Sequence, residues 1–367
     1  MVGTDRSRLV LFVRSNGAMI GAFTLIEVLV SISVIAILMG IMLPALGRVK
    51  AMGMQINSSS IKRQLVTALL AYGTREDEWI PGVNTSGLSL WPPNLTDRAV
   101  ARLSRRPDAP VQNTDWMSPA LGSGAGLSRS RNRRFYELLE RFHDPALPLR
   151  VPVFTGGRDG NAQLAAWIHA NQDQPARGVS FLMPMGMQLA EGEDLRVGWR
   201  GPWVQVGQRR YAGGLLMRQT RHPPGFVPRQ TRVGQSSTKI ACADGFRYLD
   251  SRRNALDFDA AYAPFRWGSF AGRTPLDQES RSWGRRGGGG DGRNLPLVYR
   301  HSGKMGVAFW DGHIDLLTRR QSRNPRFWAP AGSALIGASG TDPDSLTFGI
   351  EPVGKPFGAT SARNLIP

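Results

Sequence analysis

Few residues in this 367-residue chain are of types and spacings that do chemistry, and the oddest is a carboxylate. Glu27 is the only charge in FTLIEVLVSISVIAILMGIML, residues 23–43. A charge at a bilayer centre costs about 2.5–3.5 kcal/mol and less near the interface, so a carboxyl in the first turns of such a run is tolerable without a partner. A second group lies in YRHSGKMGVAFWDGHIDLL, 299–317. There His313 and Asp315 share a strand face, and His301 approaches across a hairpin, which offers a metal reading. The competing reading rests on backbone chemistry: Asp311-Gly312 suits a tight turn whatever its side chains bind. We expect no metal, and a structural His301 that bonds a loop backbone. Three adjacent acids, Glu76, Asp77 and Glu78, face different ways on any regular element and read as a solvated turn.

The remaining candidates point away from catalysis. A single cysteine, Cys242, excludes an intramolecular disulfide or a CxxC pair, and its apolar neighbours Ile240 and Ala241 predict a buried, inert thiol. His143, His169 and His222 stand alone, and no Ser-His-Asp arrangement or carboxylate pair announces itself. The chain is expected to be no enzyme and to need no cofactor. Gly287–Gly290 lacks the strand-to-helix setting and the Lys-Ser/Thr ending of a phosphate loop.

These residues need elements to hold them. Phe23 to Leu43 spans 21 residues, about 31 Å as a helix, enough to cross a bilayer core. Pro44 is expected to kink the helix. Beyond it Leu46, Val49, Met52, Ile56, Ile61, Leu65, Leu69 and Tyr72 recur at mostly helical steps, predicting an amphipathic continuation to Gly73. Residues 131–142 predict a short helix with Phe135, Leu138, Leu139 and Phe142 on one face. Strands are expected at 151–154, 179–183, within 203–219, and at 236–245 before a turn. Val307 and Phe309, then Ile314 and Leu316, alternate about Asp311-Gly312 as a hairpin. Residues 82–130 read as loops with short elements.

A small residue, Ala22, followed by Phe-Thr-Leu-Ile-Glu after an arginine-bearing leader (Arg6, Arg8, Arg14) resembles the prepilin signature of type IV pilins and type II secretion pseudopilins. His301, nine residues, then Asp311-Gly312 is similar to a motif near the C-terminal end of a large pilin-like family, and KIACADG resembles the strand that precedes it there. The resemblance covers residues 22–80 and 236–318. It implies an α+β protein: a long N-terminal transmembrane and stalk helix, then a globular head with an antiparallel β-sheet and long loops. It also implies cleavage between Ala22 and Phe23 by a prepilin peptidase, N-methylation of Phe23, and pairing of the Phe23 amine with Glu27 of a neighbouring subunit. Pro44 matches the helix-bending proline, and partners would be other pilin-like subunits and the inner membrane, with the head outside the cytoplasm. Some pseudopilins hold calcium in a C-terminal loop; TDPDS, 341–345, is the nearest acidic stretch, though its spacing matches no known cage.

The organisation expected is a leader at 1–22, a transmembrane and stalk helix at 23–73, a head at 74–320 and an irregular tail at 321–367. The formal charge of +18 invites a second reading, a membrane-anchored module whose basic head captures nucleic acid or acidic polymer. Only five of the 46 basic residues are lysines, and the arginines are scattered along the chain, a pattern of composition rather than of a binding code. Clustered arginines beside exposed Trp199, Trp203, Trp267 and Trp283 would favour that module.

Overall fold

The computed structural model describes residues 24–87, 105–111, 114–147, 150–151, 170, 176–191, 203–206, 209–212, 219–245, 249–250, 255–256, 270–272, 274–276, 295–336, 341–352 and 365–367. The chain divides into two compact units, Met1–Lys50 and Ala51–Pro367.

In the first unit the described residues form the opening half of helix α1, Leu25–Arg75, which continues unbroken through Pro44. Its apolar side chains from Leu25 to Leu43 are exposed. Among the described residues this is the one helix long and apolar enough to span a membrane. Two serines inside the run return their hydroxyls to the helix's own carbonyls, Ser31 to Glu27 and Ser33 to Leu29, at 2.7 and 2.6 Å. Such back-bonding satisfies a hydroxyl where water is absent.

In the second unit α1 goes on from Ala51 and buries one face, made of Ser58, Lys62, Leu65, Val66, Leu69, Tyr72 and Gly73. The apolar positions Met52 and Ile56 stay exposed, so the buried face starts later than the apolar repeat suggested. The helix stops where Asp77 and Glu78 take left-handed backbone angles (φ 48° and 65°) and the Glu78 amide reaches back to the Gly73 carbonyl at 2.7 Å. This six-to-one bond is a helix-ending device. The acidic triplet is therefore a turn, as its spacing predicted.

The sheet has five strands: β1 (Phe181–Pro184), β2 (Ile240–Asp244), β3 (Ala271–Gly272), β4 (Met305–Phe309) and β5 (Ile314–Leu317). They lie in the order β3-β1-β2-β4-β5. Every pairing is antiparallel except β3 with β1, which is parallel, so the sheet is mixed where a purely antiparallel one was expected. Every residue of β1, β2 and β4 is buried, so IACAD reads as a continuous apolar run, and in β4 the residues between the alternating Val307 and Phe309 are inside as well. β5 is an edge strand whose Asp315 is exposed. Helix α2, Arg131–Arg141, buries Phe135, Leu138 and Leu139, and Phe142 follows it into the core. A short ladder pairs Trp203–Val206 with Arg209–Ala212, within the stretch where strands were expected.

Between β4 and β5 the turn is one residue longer than the expected tight turn. The Phe309 amide bonds the His313 carbonyl at 3.0 Å, and the Gly312 amide bonds the Phe309 carbonyl at 2.9 Å. Trp310, Asp311 and Gly312 thus form a three-residue loop, in which only Gly312 has positive φ, at 91°. Among the described residues from 321 on are a two-residue strand, Ala334–Leu335, paired with Thr220–Arg221, and a short helix at Pro343–Leu346, and Trp328 and Ile366 are fully buried in the core.

The core makes a sharp contrast along one helix. Leu69→Ala, at a fully buried site, should lower the stability of the detergent-extracted protein by about 2–5 kcal/mol in a denaturant titration. Leu46→Ala, at an exposed site, should change it by less than about 0.5 kcal/mol in the same assay.

Candidate functional site

Two places hold the chain's unusual chemistry, and each is built differently. At the start of α1, Thr24 and Glu27 form a reciprocal cap. The Glu27 carboxylate accepts bonds from the Thr24 amide and hydroxyl, each at 2.8 Å, and the Glu27 amide donates to the Thr24 hydroxyl at 3.3 Å. Thr-x-x-Glu is a capping box, which satisfies donors that the first turn of a helix leaves unpaired. The four-residue signal for this cap is present in the sequence as TLIE. Ala22 and Phe23 lie outside the described residues.

The second place is a buried cluster of charges in the head. Its members come from five parts of the chain: Ser58 and Lys62 from α1, Asp144 from the loop after α2, Asp244 from the end of β2, Arg300 and His301 from the turn before β4, and Gly306 from β4 itself. The Lys62 ammonium donates to the Ser58 hydroxyl at 2.7 Å, and that hydroxyl donates to Asp144 Oδ2 at 2.7 Å. Arg300 Nε lies 2.7 Å from Asp144 Oδ2, and its Nη2 lies 3.2 Å from Asp244 Oδ1. His301 Nε2 touches both acids, at 2.9 Å to Asp144 and 3.3 Å to Asp244. The Gly306 amide donates to Asp244 Oδ2 at 2.7 Å. No side chain of the ionic groups is more than 3% exposed.

Lys62 Nζ sits 2.7 Å from Asp244 Oδ1, close enough for an ion pair but not aligned as a hydrogen bond. It also lies 4.9 Å from the centre of the Phe181 ring. A side chain on Gly306 would meet Nζ at 2.7 Å and Asp244 Oδ2 at 2.9 Å, so the approach needs a glycine there.

The electrostatics follow from burial against pairing. Burial alone would raise the Asp144 and Asp244 carboxyls, but Arg300, Lys62 and the His301 hydrogen bonds outweigh it and hold both below the ordinary range. Burial alone would lower His301, but its bonds to the two acids prevail and raise it above the ordinary imidazole value. With His301 neutral, two cations and two carboxylates balance; protonation adds a charge that both acids stabilise.

Asp144, Asp244 and His301 also offer donor atoms within 4.8 Å of one another, a spacing that suits a cation. The cations among those atoms are Lys62 and Arg300, and a divalent ion would have to displace them. The metal reading that joined His301 to His313 and Asp315 is not what the fold builds. His301 is buried before β4, whereas His313 follows the loop beyond it, bonds Asp311 at 2.5 Å and stacks on Phe309 with ring centres 4.1 Å apart. The His301 imidazole bonds carboxylates rather than the loop backbone that was expected. In TDPDS, Asp342 caps the short helix by accepting from the Asp344 amide at 2.9 Å and pairs with Arg323 at 2.9 Å, both side chains buried.

Elsewhere Cys242 and His222 sit as core residues, and His143 is half-buried. Cys242 is fully buried, and burial pushes its thiol up to about 12. His222 is buried, bonds the Gly186 carbonyl at 2.7 Å, and is pushed down to about 4 by burial. His143 bonds the Glu140 carbonyl at 2.7 Å. His169, Gly287–Gly290, Trp199, Trp267 and Trp283 lie outside the described residues. Sequence reasoning missed Ser58, Lys62, Asp144, Asp244 and Arg300. Asp244 alone carried a local signal, as an acid closing an apolar strand.

Compared with known proteins, the chain matches no family model, no curated protein and no solved structure.

The cluster gives stability a defined pH dependence. His301 is raised, so its contribution is complete below the ordinary imidazole value and is lost as pH rises through the raised one. Asp144 and Asp244 are lowered, so theirs is complete above the ordinary carboxylate range and is lost as pH falls through the depressed values. Unfolding midpoints across pH should show both losses, and His301→Gln should remove the alkaline one while leaving the acidic one. Lys62→Met should cost about 3–5 kcal/mol in denaturant titration, because it leaves two buried carboxylates facing a single guanidinium.

Proposed function

We propose that the chain is a pilin-like structural subunit, anchored by the opening of α1, processed by a prepilin peptidase and assembled through that helix. The filament would be a type II secretion pseudopilus or a type IV pilus-like fibre. The observation that carries this reading is the junction at Thr24–Glu27. An apolar helix with its side chains exposed begins there with a carboxylate held in place, directly after the Ala22-Phe23 step that resembles a processing site.

A physical path from anchored monomer to filament follows. In the monomer the capping box supplies Glu27 with two donors, which lowers the cost of carrying it at the edge of the bilayer. Cleavage before Phe23 creates a cationic amine at the same depth, and N-methylation leaves it protonatable. A neighbouring Glu27 that exchanges its Thr24 contacts for that amine gains a charge pair in a poorly screened medium. The pairing then sets the axial register between helices. The head faces away from the cytoplasm in this arrangement.

Mass spectrometry of the protein extracted from membranes should find an N-methylated Phe23 as its first residue; an intact leader in peptidase-positive cells would sink the reading. Glu27→Leu should insert normally and lose most of its incorporation into filaments, read by comparing sheared and membrane fractions. Incorporation equal to wild type would remove the pairing mechanism.

A further inference from the structure

We propose that Lys62 and Asp244 join covalently: a spontaneous amide between Lys62 Nζ and Asp244 Cγ that ties α1 to the centre of the sheet. The proposal stands on the head cluster alone and is independent of membrane processing.

Three observations converge. Nζ lies 2.7 Å from Asp244 Oδ1 without the alignment of a hydrogen bond, which puts the nitrogen beside the carboxyl group it would attack. Both side chains are buried, at 1% and 0% exposure, so reactants are fixed and bulk water is kept from the product. Effective molarities on the order of 10⁵–10⁸ M apply once such a pair reaches attack geometry. Finally, the surroundings supply every proton transfer. Ser58 links Nζ to Asp144 through two 2.7 Å bonds, and His301 touches both Asp144 and Asp244.

The step balances without any co-reactant. The resting form is the ammonium–carboxylate pair. Lys62 passes one proton through Ser58 to Asp144, and protonated His301 gives its proton to Asp244 Oδ2, a minor tautomer of the cluster. The free amine then attacks Cγ, forming the N–C bond. The Gly306 amide donates to one of the two carboxyl oxygens, Oδ2, and Arg300 Nη2 faces the other, Oδ1, so developing negative charge is met on either. A second proton moves from nitrogen to the departing oxygen, a C–O bond breaks and water leaves. Asp144 returns its proton to His301. The net change is one ammonium and one carboxylate converted to an amide and water.

The product relieves an electrostatic cost. Two buried charges disappear, and Asp144 remains paired with Arg300 at 2.7 Å and with the reprotonated His301 at 2.9 Å.

The test uses the full-length protein extracted in detergent, with intact mass read against whichever N-terminus the same spectrum shows. The expected mass is one water below the sequence. Trypsin should fail to cut after an acylated Lys62, giving peptide 51–63 joined to peptide 240–247. A full mass with the two peptides separate overturns the proposal. So does a water loss confined to 240–247, which marks ring closure at Asp244-Gly245 instead. Lys62→Arg keeps the cation but forms no such amide, and should show the full mass with a lowered melting temperature. Asp144→Asn, checked for folding by circular dichroism, should leave the peptides separate; a link as complete as in the parent protein would overturn Asp144 as the proton acceptor.

Discussion

An ammonium group inside a protein constrains everything around it. Lys62 points from α1 into the interior of the head, where removal from water costs several kcal/mol even after relaxation. That cost is tolerable only if acids of fixed position meet it, and each acid in turn needs its other oxygen satisfied. Asp244 is therefore at the end of the central strand β2, its Oδ2 on the Gly306 amide of the neighbouring strand. Asp144 is held by the loop after α2, where its Oδ1 accepts from the Ala146 amide at 2.8 Å. Arg300 extends the arrangement by donating to the Ser180 carbonyl at 2.7 Å, next to β1. Through these contacts one charge fixes the mutual positions of α1, α2, β1, β2 and β4.

The same constraint explains the spacing between His301 and Asp311-Gly312. Upstream of β4, Ser302 and Gly303 both take positive φ, 53° and 78°, and His301 and Lys304 exchange backbone bonds at 3.2 and 3.0 Å. This turn has the signature of a tight hairpin reversal and places the imidazole inward at the mouth of the strand. Downstream, β4 runs from Met305 to Phe309 before the Trp310–Gly312 loop reverses the chain. The Asp311 carboxylate accepts from the His313 amide at 3.1 Å and steadies that loop. The interval is thus the length of one buried strand with a reversal at each end. Its two ends do unrelated work, one ionic in the core and one conformational at the surface.

How much of this was legible follows from the range of the interactions. Periodicity revealed α1, α2 and the β4–β5 hairpin, and an unbroken apolar run revealed the buried strand β2, because each depends on neighbours a few residues away. Gly312 was legible as a turn residue, though the loop holds three residues because Trp310 joins it. Lys62 was not legible: in a helix rich in polar residues, a lysine next to Arg63 reads as a solvated face. Its burial depends on Asp144 and Asp244, far away in the chain, and no local pattern encodes a meeting of that kind. The parallel pairing of β3 with β1 was hidden for a similar reason, since a strand as short as Ala271–Gly272 has no period to read. Glu27 was read for its rarity, while its bond to Thr24 followed from an ordinary four-residue cap.

In the proposed membrane-anchored subunit, Glu27 and Lys62 are opposite solutions to one problem, a charge placed where water is scarce. Glu27 is satisfied locally, by a residue three positions away, so its contacts form with the first helical turn and can be exchanged without disturbing the fold. Lys62 bonds Ser58 of its own helix, but its counter-charges come from distant parts of the sequence, so the pairing forms only when the sheet is assembled, and removing any one member strands the rest. A locally held charge is suited to a role that requires a change of partner. A charge held by a network is suited to a role that requires permanence, and the division of α1 into an exposed apolar half and a half locked into the head places each kind where that role would be needed.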